Sequence, residues 1–316
     1  MKFCAKLLTE INFEPDAIQP CCDVQKIKVP RFPFSGGEFN VADYVAFLQD
    51  AVRKVQTGEL CAGCSMLKDA EDTAGQQFRL AAVTFNQHRF RCNCKCVYCS
   101  LWNHQRREET TYSVLPAITS LLNMPNVLDK DAWFHWGGGE PVILPEFNEA
   151  CGLISNNGHK QYIHSSGLKF SPAIAELLAK GLGGINISLD SGSPEVYEKV
   201  KGLPGFAKVT ENIRKYVQAA TSPMQVSLKY IIFEPNNSVA EITRFFDLCG
   251  ELGIREVDRS FDFRDVNAGK VSEKSLVAAA YFATQAKRRS MHCFSFYIAP
   301  DLQAKIDAIA REHFSR

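Results

Sequence analysis

Three cysteines in one short segment have a spacing suited to iron chemistry. Cys92, Cys96 and Cys99 form the pattern C-x3-C-x2-C, with Cys94 between the first two. Thiolates hold iron–sulfur clusters, commonly four to a cluster, so a loop that offers three leaves one iron open to a substrate or cofactor. The spacing therefore predicts a reactive cluster. A zinc site or a redox-inactive cluster is the alternative. A set of three ligands that includes Cys94 is also an alternative.

Two further motifs end predicted strands. Residues 137–141 read Gly-Gly-Gly-Glu-Pro. Glycines let the main chain approach a ligand closely, and the carboxylate of Glu140 is an acceptor for an ammonium group. Ser188 and Asp190 end a later strand, where residues two positions apart face the same side. Taken alone, the first motif is also typical of an ordinary turn, and the second of a strand end followed by a helix cap.

Together the three motifs resemble the signature of the radical S-adenosylmethionine enzymes, over about residues 79–264. The resemblance implies that Cys92, Cys96 and Cys99 ligate a 4Fe-4S cluster whose fourth iron is chelated by S-adenosylmethionine. It implies that the glycine motif binds the methionine amino group and that Ser188 and Asp190 contact the ribose. The cofactor contacts that it implies are Tyr98, Gly138, Gly139, Glu140, Pro141, Ser166, Ser188 and Asp190.

Alternating strands and helices must position these motifs. The predicted strands are Arg79–Phe85, Ala132–Trp136, Gln161–His164, Gly184–Asp190, Gln225–Phe233 and Glu256–Phe261, with amphipathic helical stretches between them. Six such units in series predict an α/β fold, a partial (β/α)6 TIM-like barrel, because a closed eight-unit barrel usually needs about 250 residues. Met291–Ile298 is a candidate further strand and Pro300–Phe314 a closing helix. The predicted domains are 1–78, a small N-terminal cysteine-rich metal-binding annex, 79–299, the barrel, and 300–316, a C-terminal helix.

The annex has its own cysteines. They are Cys4, Cys21, Cys22, Cys61 and Cys64, the last two in a C-x2-C pattern. Four thiolates enclose one cluster completely, and the pattern resembles the SPASM or twitch auxiliary-cluster extensions of radical S-adenosylmethionine enzymes, although those usually follow the barrel. The favoured ligands are Cys4, Cys21, Cys61 and Cys64, with Cys22 interchangeable with Cys21. The alternative is a structural zinc knot.

Composition narrows the class of protein. The 316 residues carry 36 Lys and Arg against 35 Asp and Glu, a net charge of +1, so no broad electrostatic attraction to nucleic acid is evident. No segment approaches the ~20 apolar residues of a membrane span. The start of the chain has no secretory signal, which favours the cytoplasm. In that reducing compartment the 12 cysteines indicate metal ligation and not a disulfide framework.

The resemblance implies an enzyme that reductively cleaves S-adenosylmethionine and uses the 5′-deoxyadenosyl radical to abstract hydrogen from its substrate. That substrate is a small metabolite such as a sugar, or a peptide side chain, and the electron comes from a donor such as flavodoxin or ferredoxin. A non-catalytic iron–sulfur or zinc protein on the same fold is the alternative. Candidate substrate residues follow the later strands, although each is also typical of a structural salt bridge: Lys229, Tyr230, Arg259, Asp262, Arg264 and Asp265. Lys201 is a candidate for the methionine carboxylate.

Overall fold

The computed structural model describes residues 2–21, 27–69, 77–99, 111–295 and 298–314. The chain divides into two compact units, Met1–Arg91 with Arg106–Tyr162 and Cys92–Gln105 with Ile163–Arg316. Cys22, one of the predicted ligands, lies outside the described residues. Among the helices of the described ranges, none is long and apolar enough to span a bilayer.

The first unit contains a mixed sheet. Its elements in chain order are β1 (Lys2–Phe3), α1 (Lys6–Thr9), β2 (Glu10–Phe13), β3 (Ala17–Gln19), β4 (Phe32–Pro33), α2 (Val41–Gln56), β5 (Lys68–Asp69), β6 (Leu80–Phe85), α3 (Leu115–Asn123), β7 (Leu128–Trp136) and α4 (Phe147–Asn156). The strands follow the order β7-β6-β2-β3-β4, in which β7, β6 and β2 are parallel and β3 and β4 continue antiparallel. β1 and β5 form a separate antiparallel pair.

Helix α2 shows how local sequence sets these elements. The side chain of Asn40 accepts hydrogen bonds from the backbone N–H groups of Ala42 and Asp43, which caps the first turn. Its buried residues recur at three- and four-residue spacing: Val41, Tyr44, Leu48, Ala51 and Val55. This stripe covers one face of the helix, so α2 packs as an amphipathic helix.

The second unit is a run of parallel strands and helices. After β8 (Lys160–Ser165), which passes from the first unit into the second, its elements are α5 (Pro172–Ala179), β9 (Gly183–Ser188), α6 (Pro194–Lys201), α7 (Phe206–Ala219), β10 (Val226–Ile232), α8 (Val239–Leu252), β11 (Glu256–Phe261), α9 (Phe263–Asn267), α10 (Glu273–Arg288), β12 (His292–Phe294) and α11 (Pro300–Phe314). Strands β9, β10, β11 and β12 pair in parallel in that order.

The predicted strands and closing helix are present, with shifted ends. The six predicted strands correspond to β6 to β11, the further strand to β12 and the closing helix to α11. The compact units do not follow the predicted boundary between residues 78 and 79. The physical reason is that β2, within the predicted annex, pairs in parallel with β6, with Ile11 opposite Val83. The predicted domain boundaries stay a prediction.

Candidate active site

The cysteine segment docks on the end of a helix. The backbone N–H of Lys95 donates to the carbonyl of Lys201 over 2.9 Å, and that of Val97 donates to the carbonyl of Val200 over 3.0 Å. The last carbonyls of a helix have no partner within the helix, and here the loop satisfies two of them in α6. Gly202 ends α6 with φ +73°, and a Cβ there would lie 2.8 Å from the carbonyl oxygen of Lys95. The close approach therefore depends on glycine.

The thiols of this loop differ in exposure. Cys92 is exposed, Cys96 and Cys99 are half-buried, and Cys94 is buried. The backbone N–H of Cys94 donates to the Cys92 sulfur over 3.4 Å. A hydrogen bond from Cys94 and the charge of Lys201 lower the pKa of Cys96 to about 6, against the opposing effect of burial. Thiolate is the form that binds metal, so the loop favours the ligand form of Cys96.

A buried polar network lies behind the loop. The Lys201 ammonium contacts the Asp190 carboxylate, with 1% and 0% of the two side chains exposed. The Tyr98 hydroxyl donates to Asp190 Oδ2 over 2.7 Å and accepts from Lys201 Nζ over 3.1 Å. Burial alone would lower the pKa of Lys201, but Asp190 and the nearby cysteines raise it above its usual value. Lys201 is therefore a permanent positive charge beside Cys96.

Asp190 does not extend its strand. β9 ends at Ser188, and Asp190 adopts a left-handed backbone conformation with φ +58°. Its Oδ1 accepts from the backbone N–H of Ile231 over 2.6 Å, and its carbonyl accepts from Asn236 Nδ2 over 2.9 Å. The strand alternation that places Ser188 and Asp190 on one face stops short of Asp190. Asp190 binds Lys201, Tyr98 and backbone, and its contact with a ribose stays a prediction.

Ser166 is linked to the cysteine loop. Its hydroxyl donates to Asn93 Oδ1 over 3.0 Å and accepts from the backbone N–H of Leu168. Asn93 lies between Cys92 and Cys94. Ser166 follows β8, so the turn after this strand holds the first part of the loop by a side-chain hydrogen bond.

The glycine motif lies in the first unit and makes a close backbone approach. Gly138 and Gly139 have φ values of +64° and +43°. A Cβ on Gly139 would lie 2.3 Å from the carbonyl oxygen of Arg91 and 2.4 Å from that of His88. No side chain fits at these distances, so glycine is required by the packing of the chain itself.

Glu140 is buried and takes a local partner. Only 1% of the residue is exposed, and its carboxylate accepts from the backbone N–H of Val142 over 3.2 Å at the start of a short 3-10 turn that begins at Pro141. Its own N–H donates to the carbonyl of Arg91 over 2.7 Å. Glu140 therefore orders the turn after β7, while its predicted contact with an amino group stays a prediction.

Sequence reasoning missed Glu14. This residue follows β2, the strand that the structure adds beside β6, and its carboxylate accepts from Asn86 Nδ2 over 3.2 Å and pairs with Arg89 over 3.0 Å. Burial raises its pKa, against the charge of Arg89. A carboxylate directly after the short alternating segment Glu10–Phe13 was the available signal in the sequence. Since β2, β6 and β7 are parallel, Glu14, Asn86 and the glycine motif follow the carboxyl ends of three neighbouring strands, where α/β folds bind ligands.

Buried hydrogen-bond donors that follow β6 fit a ligand site at the carboxyl ends of β2, β6 and β7. Within the described ranges, Gln87 Nε2 and Arg89 Nε are buried donors with no hydrogen-bond partner. Buried polar nitrogens are usually paired, so each such donor calls for an explanation, and an anionic or carbonyl group of a ligand supplies one. Burial, followed by the charge of Arg89, lowers the pKa of His88 to about 3, so its imidazole is neutral.

Most of the later candidate residues have structural partners. Lys229 pairs with Asp258 over 3.0 Å, and the Tyr230 hydroxyl donates to the carbonyl of Asn236 over 2.8 Å. Arg259 is buried and donates to Gln303 over 3.1 Å. Asp262 caps α9 and pairs with Arg264. These contacts support a structural role, and not a substrate-binding one, for five of the candidates: Lys229, Tyr230, Arg259, Asp262 and Arg264. A substrate-binding role of Asp265 stays a prediction.

The annex cysteines of the described ranges share a cavity. Cys4, Cys21, Cys61 and Cys64 all line a space of about 240 Å³ in the first unit. Their positions in the sequence span sixty residues, so only folding brings them together. The structure therefore places the four favoured ligands around one volume.

Among the described residues, no three His, Cys, Asp or Glu side chains are arranged to hold one metal ion. Cys92, Cys96 and Cys99 lie on one loop, and four annex cysteines line one cavity. The metal or cluster that either set of cysteines binds stays a prediction.

Comparisons with known proteins show the family of the chain. A family model described as the Radical SAM superfamily matches residues 87–249, just over half of the chain. A probable GTP 3′,8-cyclase from Saccharolobus islandicus (strain Y.N.15.51 / Yellowstone #2) is 26% identical over 185 residues, 58% of this chain and 57% of that protein. The corresponding protein of Methanocaldococcus jannaschii is 20% identical over 184 residues, 58% of this chain and 59% of that protein. The chain thus spans less than two thirds of the length of these relatives.

Solved structures share the fold. Streptococcus suis SuiB bound to the precursor peptide SuiA has a TM-score of 0.54 at 11% identity, covering 98% of this chain and 75% of that one. The protein anSMEcpe with bound AdoMet has a TM-score of 0.52 at 15% identity, covering 68% and 63%. At these identities the likeness concerns the fold alone. The predicted fold class, α/β with a partial TIM-like barrel, is confirmed.

Proposed function

Because the chain belongs to the radical SAM superfamily, as its motifs predict, we propose that it holds a 4Fe-4S cluster on Cys92, Cys96 and Cys99 and cleaves S-adenosylmethionine reductively. The observation that carries the proposal is the three-thiol loop fixed on the end of α6, with the Lys201 charge beside Cys96. When bound, the cluster supplies one electron that breaks the sulfonium C5′–S bond, so that the 5′-deoxyadenosyl radical removes a hydrogen atom from the substrate.

The residues of this chain bind the cofactor and fix the position of the cysteine loop. Lys201 and Asp190 hold Tyr98 behind the loop, and Ser166 holds its first part through Asn93. The proposed contacts with S-adenosylmethionine are the residues of the three motifs and of the turn after β8: Tyr98, Gly138, Gly139, Glu140, Pro141, Ser166, Ser188 and Asp190. For Asp190 this role includes holding Lys201, because its carboxylate already binds that ammonium.

The proposal includes two candidate substrate classes. A small metabolite such as a nucleotide or sugar is favoured by the sequence relatives, which are named for action on GTP. A peptide side chain is the second candidate, supported by the fold shared with SuiB, which was solved with its precursor peptide. The reaction class is an oxidation or modification of either substrate, in the cytoplasm, with an electron from a donor such as flavodoxin or ferredoxin. A non-catalytic iron–sulfur or zinc protein is the alternative.

A second metal site is part of the proposal. Cys4, Cys61 and Cys64 supply three of its thiols, and Cys21, or Cys22 in its place, supplies the fourth. The shared cavity of the four described cysteines supports it. The resemblance to SPASM or twitch extensions suggests a cluster, and a zinc knot is the other reading of the sequence.

The test of the function is anaerobic reconstitution with iron and sulfide, followed by addition of S-adenosylmethionine and dithionite. Wild type should produce 5′-deoxyadenosine, and Cys96→Ala should not. Cys293→Ala is the matched control, because Cys293 is a half-buried cysteine outside every proposed ligand set and should keep the activity. Wild type that binds iron but forms no 5′-deoxyadenosine would favour the non-catalytic alternative.

A further inference from the structure

A small charged cavity lies in the first unit, at the carboxyl ends of β2 and β6. Its volume is about 110 Å³, and six residues line it: Glu14, Pro15, Asp16, Arg31, Arg89 and Phe90. The first three follow β2, and the last two belong to the segment after β6. The volume is roughly four times the ~30 Å³ that one water molecule occupies in the liquid, so the cavity holds one functional group of a ligand and not a whole cofactor.

Backbone hydrogen bonds fix the two walls of this cavity. β2 and β6 pair in parallel, so the residues that follow them meet at one edge of the sheet. The N–H of Asn86 donates to the carbonyl of Phe13 over 2.8 Å, and the N–H of Arg89 donates to the carbonyl of Asn86 over 3.0 Å. On the other wall, the carbonyl of Glu14 accepts from the Tyr112 hydroxyl over 2.8 Å. Glu14 and Arg89 therefore have fixed backbone positions on opposite walls.

The charges of the walls cancel. Glu14 is 4% exposed, and its carboxylate pairs with Arg89 over 3.0 Å and accepts from Asn86 Nδ2 over 3.2 Å. On the exposed side, Asp16 pairs with Arg31 over 2.6 Å. Each guanidinium thus faces one carboxylate, and the four charged side chains have no net charge. A ligand with several negative charges would meet Glu14 and Asp16 at short range, so the cavity favours a group with a single negative charge.

One buried donor in this cavity has no acceptor. Among the residues that the structure describes, Arg89 Nε is closed to solvent without a hydrogen-bond partner, while Arg89 Nη1 binds Glu14. A guanidinium offers five N–H groups in a planar fork, and it binds a carboxylate through two parallel hydrogen bonds. A carboxylate supplies two acceptor oxygens and one negative charge. It therefore satisfies both the buried donor and the charge balance of the walls.

The cavity adjoins the glycine motif. A Cβ on Gly138 would lie 2.8 Å from the Cβ of Arg89, so the two segments approach each other closely. A group that Arg89 binds thus lies beside residues that are proposed cofactor contacts. Three of the charged residues lie outside the segment that the family model matches: Glu14, Asp16 and Arg31. The cavity is therefore a feature of this chain next to a segment that the family shares.

We propose that this cavity binds a carboxylate group of the substrate, with Arg89 as its donor and Arg31 as a second cation on the exposed side. Glu14 is a positioning residue, because it holds Arg89 at Nη1 and leaves Nε to the ligand. The inference rests on the proposed function and deepens it. It narrows both candidate substrate classes to molecules that carry a carboxylate, either a peptide with an acidic side chain or a carboxylated small metabolite.

The experiment is titration calorimetry of the full chain, reconstituted anaerobically with iron and sulfide, with sodium propionate as the probe at constant ionic strength. A single carboxylate in a good site binds with a dissociation constant of about 1 mM at best. Arg89→Gln should weaken binding about ten-fold or more, and Arg89→Lys should also weaken it because an ammonium lacks the planar fork. Arg79→Gln is the matched control. Arg79 is an exposed arginine of the same unit that pairs with Asp129 over 3.9 Å, and its loss should leave binding unchanged.

A second set of variants separates binding from folding. Arg89→Gln leaves the buried Glu14 carboxylate without its cation, so the double variant Glu14→Gln, Arg89→Gln, which is neutral at both positions, is measured beside it. Glu14→Gln alone keeps an acceptor for Arg89 and should bind propionate at least as well as wild type does. The double variant, with its fold checked by circular dichroism, should bind about ten-fold more weakly than Glu14→Gln. Equal binding by these two variants, or no propionate binding by wild type, would overturn the proposal.

Competing ligands decide the chemical class and its source. A blocked Gly-Glu-Gly peptide that displaces propionate, when its Gly-Gln-Gly counterpart does not, supports a peptide carboxylate, whereas propionate binding without such displacement supports a small metabolite. Inorganic phosphate that binds more tightly than propionate and depends on Arg89 would overturn the carboxylate class. Saturating S-adenosylmethionine should leave propionate binding unchanged. Displacement of propionate by S-adenosylmethionine would mean that the cavity takes the methionine carboxylate and would overturn the substrate site.

The failure of this inference and the failure of the proposed function have different signatures. If only the inference fails, wild type still forms 5′-deoxyadenosine from S-adenosylmethionine and dithionite. If only the proposed function fails, propionate still binds in a way that depends on Arg89, but no 5′-deoxyadenosine forms.

Discussion

The ammonium of Lys201 lies against the carboxylate of Asp190 with both side chains closed to solvent. Lys201 is the last residue of α6, and its carbonyl accepts from Lys95 in the cysteine loop, so one residue joins the loop backbone to the buried ion pair. Asp190 in turn holds the Tyr98 hydroxyl, one residue before Cys99. The loop that carries the thiols is therefore anchored by backbone at Lys95 and Val97 and by side chain at Tyr98.

Replacing Lys201 by Met should destabilise the protein strongly. The change leaves the buried Asp190 carboxylate without its cation, and breaking a buried ion pair on one side costs about 3–5 kcal/mol. The measurement is the free energy of unfolding in urea. Lys208→Met is the control, since Lys208 and Glu211 form an exposed pair at 3.6 Å whose loss should cost less than about 1 kcal/mol. Adding Asp190→Asn to Lys201→Met should recover part of the loss. Equal effects at positions 201 and 208 would contradict the role of the buried pair.

Tyr98→Phe should destabilise the cysteine loop without leaving a cavity where the ring packs. The ring that packs on Phe233 at 5.6 Å is kept, while the hydroxyl that bridges Asp190 and Lys201 is lost. We expect a loss of about 1–3 kcal/mol in unfolding free energy, because two buried charged groups each lose a hydrogen bond. Tyr281→Phe, which removes a half-buried hydroxyl bonded to Thr243 over 2.8 Å, should cost less. A Tyr98→Phe variant as stable as Tyr281→Phe would mean that the hydroxyl is replaceable, for example by water.

The sequence predicts the elements of the barrel and the motifs well, for local reasons. β6 and β10 are mostly apolar runs, so their strand type follows from local sequence, whereas β7 and β11 also carry charged residues. The end of β9 is less predictable. Alternate residues remain apolar through Leu189, yet Asp190 turns into a left-handed conformation, where Lys201 and the backbone of Ile231 bind its carboxylate. Those partners become visible only after folding.

Long-range pairing limits the rest of the prediction. β2 has only four residues, and its partner β6 begins 67 positions after β2 ends. No local pattern therefore shows that Glu14 lies with Asn86 and the glycine motif at the carboxyl ends of neighbouring strands. The four cysteines of the annex raise the same difficulty in a milder form. Their residue type predicts a metal site, but only folding brings them to one cavity, where Cys4, Cys61 and Cys64 pack in a hydrophobic cluster with Leu7.

Gly139→Ala should destabilise the first unit, whereas Gly152→Ala should stabilise it. At position 139 a Cβ meets two carbonyl oxygens at 2.3 and 2.4 Å, so the backbone must shift, at a cost of about 2 kcal/mol or more. Gly152 lies in α4 with nothing within 4 Å of its Cβ position, and alanine there should add about 0.5–1 kcal/mol through helix propensity. Thermal unfolding of the two variants checks this. Shifts of Tm in the same direction would contradict the close approach at Gly139.

His88 should make stability fall on acidification. Burial, followed by the charge of Arg89, lowers the pKa of its imidazole from 6.5 to about 3, so between these values the unfolded chain binds more protons than the folded one. Stability from this group is therefore complete above about pH 6.5 and is lost as the pH falls toward 3. Between pH 7 and pH 5 the change amounts to about 2 kcal/mol.

The variant His88→Gln removes this titration and keeps a polar side chain. Its unfolding free energy at pH 7 minus that at pH 5 should be smaller than the wild-type difference by about 2 kcal/mol, measured by urea denaturation at both values. His313→Gln, a change at a histidine whose side chain is 55% exposed, should leave the wild-type difference unchanged. If His88→Gln and wild type lose the same stability between pH 7 and pH 5, the acid sensitivity belongs to other groups and the imidazole of His88 accepts its proton in the folded protein.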